Sequence, residues 1–485
     1  MIQKLRKKYT DLPIQLRASF WFLICSFLQK GISTITTPIF TRLMTTAEYG
    51  MYNVFCSWLS IVMIFVTLNL FAAIFGAGLI KFNEERALFA SSLQGLNLIL
   101  CAGWTVVYLL FRTNWNQLLS LTTVQMLAML VMIWASAAFS YWAAEQRVEY
   151  KYRKLVLVTL LVSFLKPAVG IVFVMFADDK VTARILGLAL VEIIGYTGLF
   201  IAQMHRGHVF YSKKYWKYAL RFGLPLLPHY LSQTVLNSSD RIMISEMVGA
   251  SQAGIYSIAY SISQIMKLFN TSLTNTIGPW IYQKIRDKDL KPIGGVTYLG
   301  LIVIAAVNLL LITLSPEVVS LFAPKEYHEA IWIIPPVAMS TYLILLYDFF
   351  SRFEVYYEKP AFMMYASIVG AVLNIVLNYI FIPIFGYMAA GYTTLICYGI
   401  YVICHYMAMR KICKDYLDGE NAYEVKKIIM LSLVFFAFGF LLMLTYKLPV
   451  LRYCFVTAGL AGCFVKRAYL KTQVMKILNV RKKKT

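Results

Sequence analysis

Long apolar runs separated by short polar stretches fill the chain from Ala18 onward. A bilayer core about 30 Å thick is crossed by a helix of roughly 20 apolar residues, and windows of about 19 residues pick out fourteen such runs. They are Ala18 to Leu43, Tyr49 to Ala72, Leu88 to Phe111, Leu118 to Trp142, Leu155 to Phe176, Ile185 to Met204 and Ala219 to Met247. The second half continues with Gly254 to Trp280, Val296 to Leu314, Ala330 to Phe350, Ala361 to Ile384, Met388 to Met409, Ile428 to Tyr446 and Val450 to Val465. The first run has a basic approach (Lys4, Arg6, Lys7, Lys8, Arg17) but is too long for a signal h-region and lacks a small-residue cleavage site, so it reads as a retained span. The expected fold class is an all-α polytopic membrane protein with about 14 transmembrane helices.

Composition excludes a water-soluble fold: 60% of the 485 residues are hydrophobic and 14% charged, too little charge to coat a sphere of this size. The net charge of +23 recurs in short runs between apolar segments, the pattern of membrane proteins rather than of nucleic-acid binders. With both termini cytoplasmic, 35 of the 46 Lys and Arg fall on the inside and seven on the outside (Arg42, Arg112, Lys180, Arg184, Lys325, Lys447, Arg452). The expected topology is therefore multi-pass with both termini cytoplasmic. The eight cysteines form no C-x-x-C pair and read as small buried hydrophobes. Neither G-x-x-x-x-G-K-[ST] nor H-E-x-x-H occurs, the five histidines are scattered, and the longest outside loop, Ser315 to Glu329, is about fifteen residues. No enzyme, metal site or cofactor is expected.

The chain matches itself at an offset of 204: Arg17 with Arg221, Gln29 with Gln233, Gly50 with Gly254, Tyr52 with Tyr256. Six spans separate the copies, an even number, so both have the same orientation and are expected to be related by a pseudo-two-fold axis along the membrane normal. This predicts an N-terminal six-helix lobe (1–204), a cytoplasmic linker (205–217), a C-terminal six-helix lobe (218–409), and two final spans with a basic tail (410–485).

The stretch Phe27-Leu-Gln-Lys-Gly-Ile-Ser-Thr-Ile-Thr-Thr-Pro38, with Thr41-Arg-Leu and Glu48-Tyr-Gly-Met-Tyr52, resembles the opening of bacterial polysaccharide flippases. These are the Wzx type of the multidrug/oligosaccharidyl-lipid/polysaccharide exporter superfamily. Phe222-Gly-Leu-Pro-Leu-Leu-Pro-His229, Asn237-Ser-Ser-Asp-Arg241 and Gly254-Ile-Tyr-Ser-Ile-Ala-Tyr260 resemble the start of that family's second bundle. The resemblance implies two lobes and movement of a polyprenyl-pyrophosphate-linked oligosaccharide between leaflets by alternating access. Lipid-linked oligosaccharide and membrane lipids are the expected partners, with a polysaccharide polymerase and glycosyltransferases as further ones, and no nucleic acid. A cation-coupled multidrug exporter and a peptidoglycan lipid-precursor flippase share the superfamily. A membrane polymerase is the distant alternative.

Ionisable groups in hydrocarbon cost at least ~2.5–3.5 kcal/mol each and mark cavities or partners. Lys30, Lys166 and Lys267 fall near mid-membrane on three spans, far from any acid in sequence. With Arg241, Gln29 and Gln233 they are the candidate cationic cavity for a pyrophosphate, the alternative being a carboxylate partner for each lysine across the bundle. Drug exporters that handle cations should show an acidic cavity instead. Glu192, Asp240, Asp348 and Arg42 are the candidates for gating or for coupling to H+ or Na+. Pro38, Pro167, Pro225 and Pro228 are candidate hinges, or packing kinks.

Overall fold

The fold is helical throughout the residues that the computed structural model describes, 13–72, 74–465 and 467, and no strand occurs among them. The basic residues Lys4 to Lys8 and the tail from residue 468 lie outside the described set. Among the described residues eleven helices are long and apolar enough to cross a membrane, and each coincides with one of the fourteen apolar runs.

The other three runs are helical but interrupted or short. Ala219 to Met247 is split by a 3-10 turn at Leu224–Leu226, where Pro225 removes a backbone donor. Gly254 to Trp280 is broken between Ser263 and Met266. The last is the 17-residue helix Pro449–Val465. The first two of these carry many polar residues, and helix breaks at membrane depth persist only where protein or a watery cavity satisfies the freed groups.

The chain divides into two compact units, Met1–Thr234 and Val235–Thr485. The first holds α1 (Ile14–Leu43), α2 (Thr46–Thr67), α3 (Arg86–Leu110), α4 (Thr123–Val148), α5 (Tyr152–Phe176), α6 (Lys180–Gly207) and α7 (Lys213–Gly223). Next comes α8 (Leu227–Met247), inside which the unit changes. The second unit continues with α9 (Ala250–Ser263), α10 (Met266–Arg286), α11 (Lys291–Thr313) and α12 (Ile334–Tyr356). It ends with α13 (Pro360–Phe385), α14 (Ala389–Tyr416), α15 (Val425–Leu444) and α16 (Pro449–Val465).

Residues 205–217, expected as the inter-lobe linker, fall within the first unit and lead into α7. Tyr215 and Ala219 of α7 are buried in a cluster with Leu79, Phe89 and Leu93, so apolar burial ties this stretch to α3. Stacked Phe75 and Phe89 rings, 5.5 Å apart, and an edge contact of Phe75 with Tyr141 at 4.7 Å fill that cluster.

The tight turns have local causes. Thr45 caps α2 in a capping box: its hydroxyl accepts from Glu48 N at 3.2 Å, while its own N–H donates to Glu48 Oε2 at 2.7 Å. Thr122 and Gln125 repeat the device at α4, and the Asp179 side chain accepts from Thr182 N at 3.0 Å to cap α6. In the second unit Gly249, at φ +143°, makes the corresponding corner before α9. The repeat survives in the helix limits, since Leu43 to Met247 and Thr46 to Ala250 are both 204 positions apart. The Gly-x-Tyr of each copy thus sits in the second turn of a helix.

Candidate functional site

In the first unit, Gly170 of α5 and Gly187 of α6 let two backbones approach so closely that a Cβ on Gly187 would lie 3.1 Å from Gly170 Cα. Near this crossing, Lys166 of α5 forms an ion pair with Glu192 of α6. Ser136 Oγ of α4 donates to the other Glu192 oxygen at 3.0 Å, and the ammonium lies 5.7 Å from the Tyr196 ring centre. The Glu192 side chain is 4% exposed and that of Lys166 27%. Lys166, a candidate for the cationic cavity, and Glu192, a candidate for coupling, are therefore each other's partners. Sequence distance hid this, because 26 residues separate them.

Toward one end of the same unit Glu145 is buried against Arg206, and Gln203 Nε2 donates to Glu145 Oε2 at 2.8 Å. Gln94 Nε2 in turn donates to Gln203 Oε1 at 2.7 Å and to Ala138 O at 3.0 Å. Sequence reading missed this network because Glu145 lies past the last residue of its apolar run. Arg184, counted as an outside cation, is buried between the rings of Phe40 and Tyr52, 3.6 and 3.5 Å from their centres.

The second unit treats its buried acid differently. Asp240 of α8 is 2% exposed and accepts three neutral hydrogen bonds. Tyr256 Oη of α9 and Thr394 Oγ1 of α14 donate to Oδ2 at 2.6 and 2.9 Å, and Asn378 Nδ2 of α13 donates to Oδ1 at 2.7 Å. Ser239 Oγ donates to Asn374 Oδ1 at 2.9 Å, and Thr393 Oγ1 donates to Asn378 Oδ1, so the polar cluster joins four helices. Asn374 and Asn378, one turn apart in an otherwise apolar run, were the signal in the sequence for this site.

One helical turn from Asp240 lies a cationic cluster. Lys267 Nζ of α10 and Tyr260 Oη of α9 both donate to Asn237 Oδ1, at 3.2 and 3.1 Å. The Arg241 guanidinium donates to Asn237 O at 3.0 Å and stacks 4.3 Å from the Tyr260 ring centre, with Lys267 Nζ 5.9 Å from the same ring. The structure thus brings Arg241 and Lys267, both half-buried, together on the two broken helices.

Lys30, half-buried, and Gln29, exposed, are on α1, and Gln233 is half-buried on α8. Arg42 is exposed and donates to Pro38 O at 2.8 Å at the end of α1. Asp348 pairs with Arg352 at 2.8 Å one turn along α12, and that guanidinium also donates to Tyr282 Oη at 3.3 Å. Sequence reasoning passed over a buried His405–Glu354 pair, 2.6 Å apart, because Glu354 lies beyond its apolar run.

The fold is that of a multi-pass helical membrane protein, and matches to two family models place it among the transporters and flippases of the multidrug/oligosaccharidyl-lipid/polysaccharide superfamily. The family model described as "Polysaccharide biosynthesis protein" matches residues 16–284, and the chain belongs to that family. The MatE family model matches residues 225–380. "Lsg locus putative protein 1" of Haemophilus influenzae is 20% identical over 382 residues, spanning 73% of this chain and 88% of that protein. Among solved structures, the lipid II flippase MurJ in an inward closed conformation superposes with a TM-score of 0.72 at 14% identity, covering 92% of this chain and 99% of that one. An inward-facing multidrug resistance MATE family transporter gives a TM-score of 0.58 at 14% identity, with 79% and 95% covered.

Proposed function

We propose that the protein flips a polyprenyl-pyrophosphate-linked oligosaccharide across the cytoplasmic membrane for polysaccharide synthesis. The observation that carries this is the Arg241–Lys267 cluster around Asn237 and Tyr260. Two half-buried cations gathered at one place on interrupted helices suit an anion, and a diphosphate would gain charge-assisted hydrogen bonds from both. An exporter of cationic drugs gains nothing from such a cluster. Arg42 and the Asp348–Arg352 pair are the gating elements in this reading.

Asp240 is the coupling group in this reading. Its carboxylate accepts from two hydroxyls and one amide nitrogen, and no Lys or Arg among the described residues hydrogen-bonds to it, so a proton or Na+ would be the exchangeable charge at the site. The peptidoglycan lipid precursor carries the same polyprenyl diphosphate, and the likeness to a lipid II flippase in fold keeps it as the second reading.

The test is export in a strain that depends on this protein. Lys267→Gln and Arg241→Gln should each reduce surface polysaccharide at unchanged protein level, and Lys267→Arg should retain part of the activity. Undiminished export by both Gln variants would remove the cluster from the substrate path. Rescue of a lipid II flippase deletion by the wild type would favour the second reading.

A further inference from the structure

A cavity of about 660 Å³ opens at one end of the first unit, where α1 begins, α4 turns into α5 and α6 ends. Its wall carries five cations, Arg17, Lys151, Arg153, Lys154 and Arg206, against one carboxylate, Glu149. Glu149 pairs with Lys151 at 2.6 Å, and Arg206 is held by Glu145 behind the wall. Arg153 and Lys154 are exposed at the cavity, and neither has an ion-pair partner among the described residues.

The helix that carries these two residues adds to the imbalance. The first turn of α5 contains no acidic residue, and Lys151 at its N-cap makes no side-chain capping bond. The N-terminus of a helix is its positive end, so cations there are unfavourable until an anion joins them. An anion in this cavity would meet Arg153, Lys154 and uncapped N–H groups at once.

Apolar surface runs away from the cavity on the helices that frame it. On α1, Phe20, Leu23 and Phe27 are 53%, 47% and 44% exposed, and on α5, Leu157, Leu161 and Phe164 are 67%, 51% and 63% exposed. Spacings of three and four residues make each set a single stripe, and α1 packs along α5. A phosphate with an apolar chain would satisfy both parts.

We infer that this cavity binds the phosphate headgroup of a membrane lipid, with its chain lying along the apolar stripes of α1 and α5. The inference rests on the cavity and is independent of what the Lys267 cluster carries. A bilayer phospholipid and a polyprenyl diphosphate share this chemistry, and the experiment separates them. The full-length protein is purified in detergent, offered phosphatidylglycerol, phosphatidylcholine, polyprenyl diphosphate or inorganic phosphate, and read by native mass spectrometry.

At least one of the two anionic lipids should be retained roughly tenfold more tightly than phosphatidylcholine, and the anionic lipid retained names the source. Arg153→Gln combined with Lys154→Gln should abolish that preference, each single change should weaken it, and Arg153→Lys should keep most of it. The melting temperature of these surface variants should not move, which separates lost binding from lost fold. Equal retention of phosphatidylcholine, inorganic phosphate competing as well as the lipid, or an unchanged preference in the double variant would each overturn the proposal.

Discussion

Two buried carboxylates, Glu192 in the first unit and Asp240 in the second, are answered in opposite ways. In the first, Glu192 meets Lys166 directly, so the site is neutral as a pair and closed. In the second, Asp240 meets a phenol, a hydroxyl and an amide, while the nearest cations turn away to Asn237 and Tyr260. An ion pair is a fixed structural element, because losing either partner leaves the other charge unpaired in a low-dielectric interior. A carboxylate whose hydrogen bonds all come from neutral donors can exchange a small cation without breaking a hydrogen-bonded ion pair. The repeat matches the helix corners and not these carboxylates: 204 positions from Asp240 stands Thr36, and 204 from Glu192 stands Ile396.

The sharpest way to break this contrast is to remove Lys166. Lys166→Met should destabilise the protein by about 3–5 kcal/mol, the usual cost of orphaning a buried charge, seen as a lowered melting temperature in detergent. Adding Glu192→Gln should recover most of that loss. If Lys166→Met were as stable as the parent, Glu192 would have another partner and the first unit would resemble the second.

Asp240→Asn is the reciprocal experiment. Export should fall to near background while the melting temperature changes far less than in Lys166→Met, since neutral donors tolerate a neutral acceptor. A collapse in stability with this variant would make Asp240 structural. A smaller effect is expected from Tyr256→Phe, which deletes one hydrogen bond to a charged group and should cost about 1.5–3 kcal/mol. Its readout is a melting shift that disappears in the Asp240→Asn background.

The smallest effect lies outside the spans, at Glu317. Burial raises its pKa, but hydrogen bonds from Arg452 Nη1 at 2.7 Å and Tyr453 Oη at 2.9 Å outweigh this and hold the carboxyl below its ordinary 4.5. The unfolded chain then binds the proton more readily, so the contribution is full above that pH and is lost as pH falls below it. The gap in melting temperature between the parent and Glu317→Gln should stay constant down to pH 4.5 and narrow under more acidic conditions.

The spans were legible because bilayer thickness imposes a length on every apolar run, and eleven runs became continuous helices. The 204-residue repeat was legible for the same reason, since its register is a register of helix ends. The Lys166–Glu192 pair was not, because which faces of α5 and α6 meet is decided by the close approach at Gly170 and Gly187, and no periodicity within one helix reveals it. Glu145 and Glu354 escaped notice because each lies just past an apolar run, where a charge looks solvated. Arg241 and Lys267 were found by depth alone, and Asn237, which gathers them, carries no charge to attract attention.

Each of the two matching corners, Met44–Thr45 and Val248–Gly249, joins a pair of helices through only two residues. Every residue added to a helix turns the remainder of that helix by about 100°, so a corner this short acts as an angular stop. One inserted residue after Gly249, taken up by α9, would rotate Tyr256 off the face that meets Asp240 and carry Tyr260 away from Asn237 with it. Length variation between relatives should therefore avoid these corners and collect in stretches such as 417–424, where the chain can gain or lose residues without re-aiming a helix.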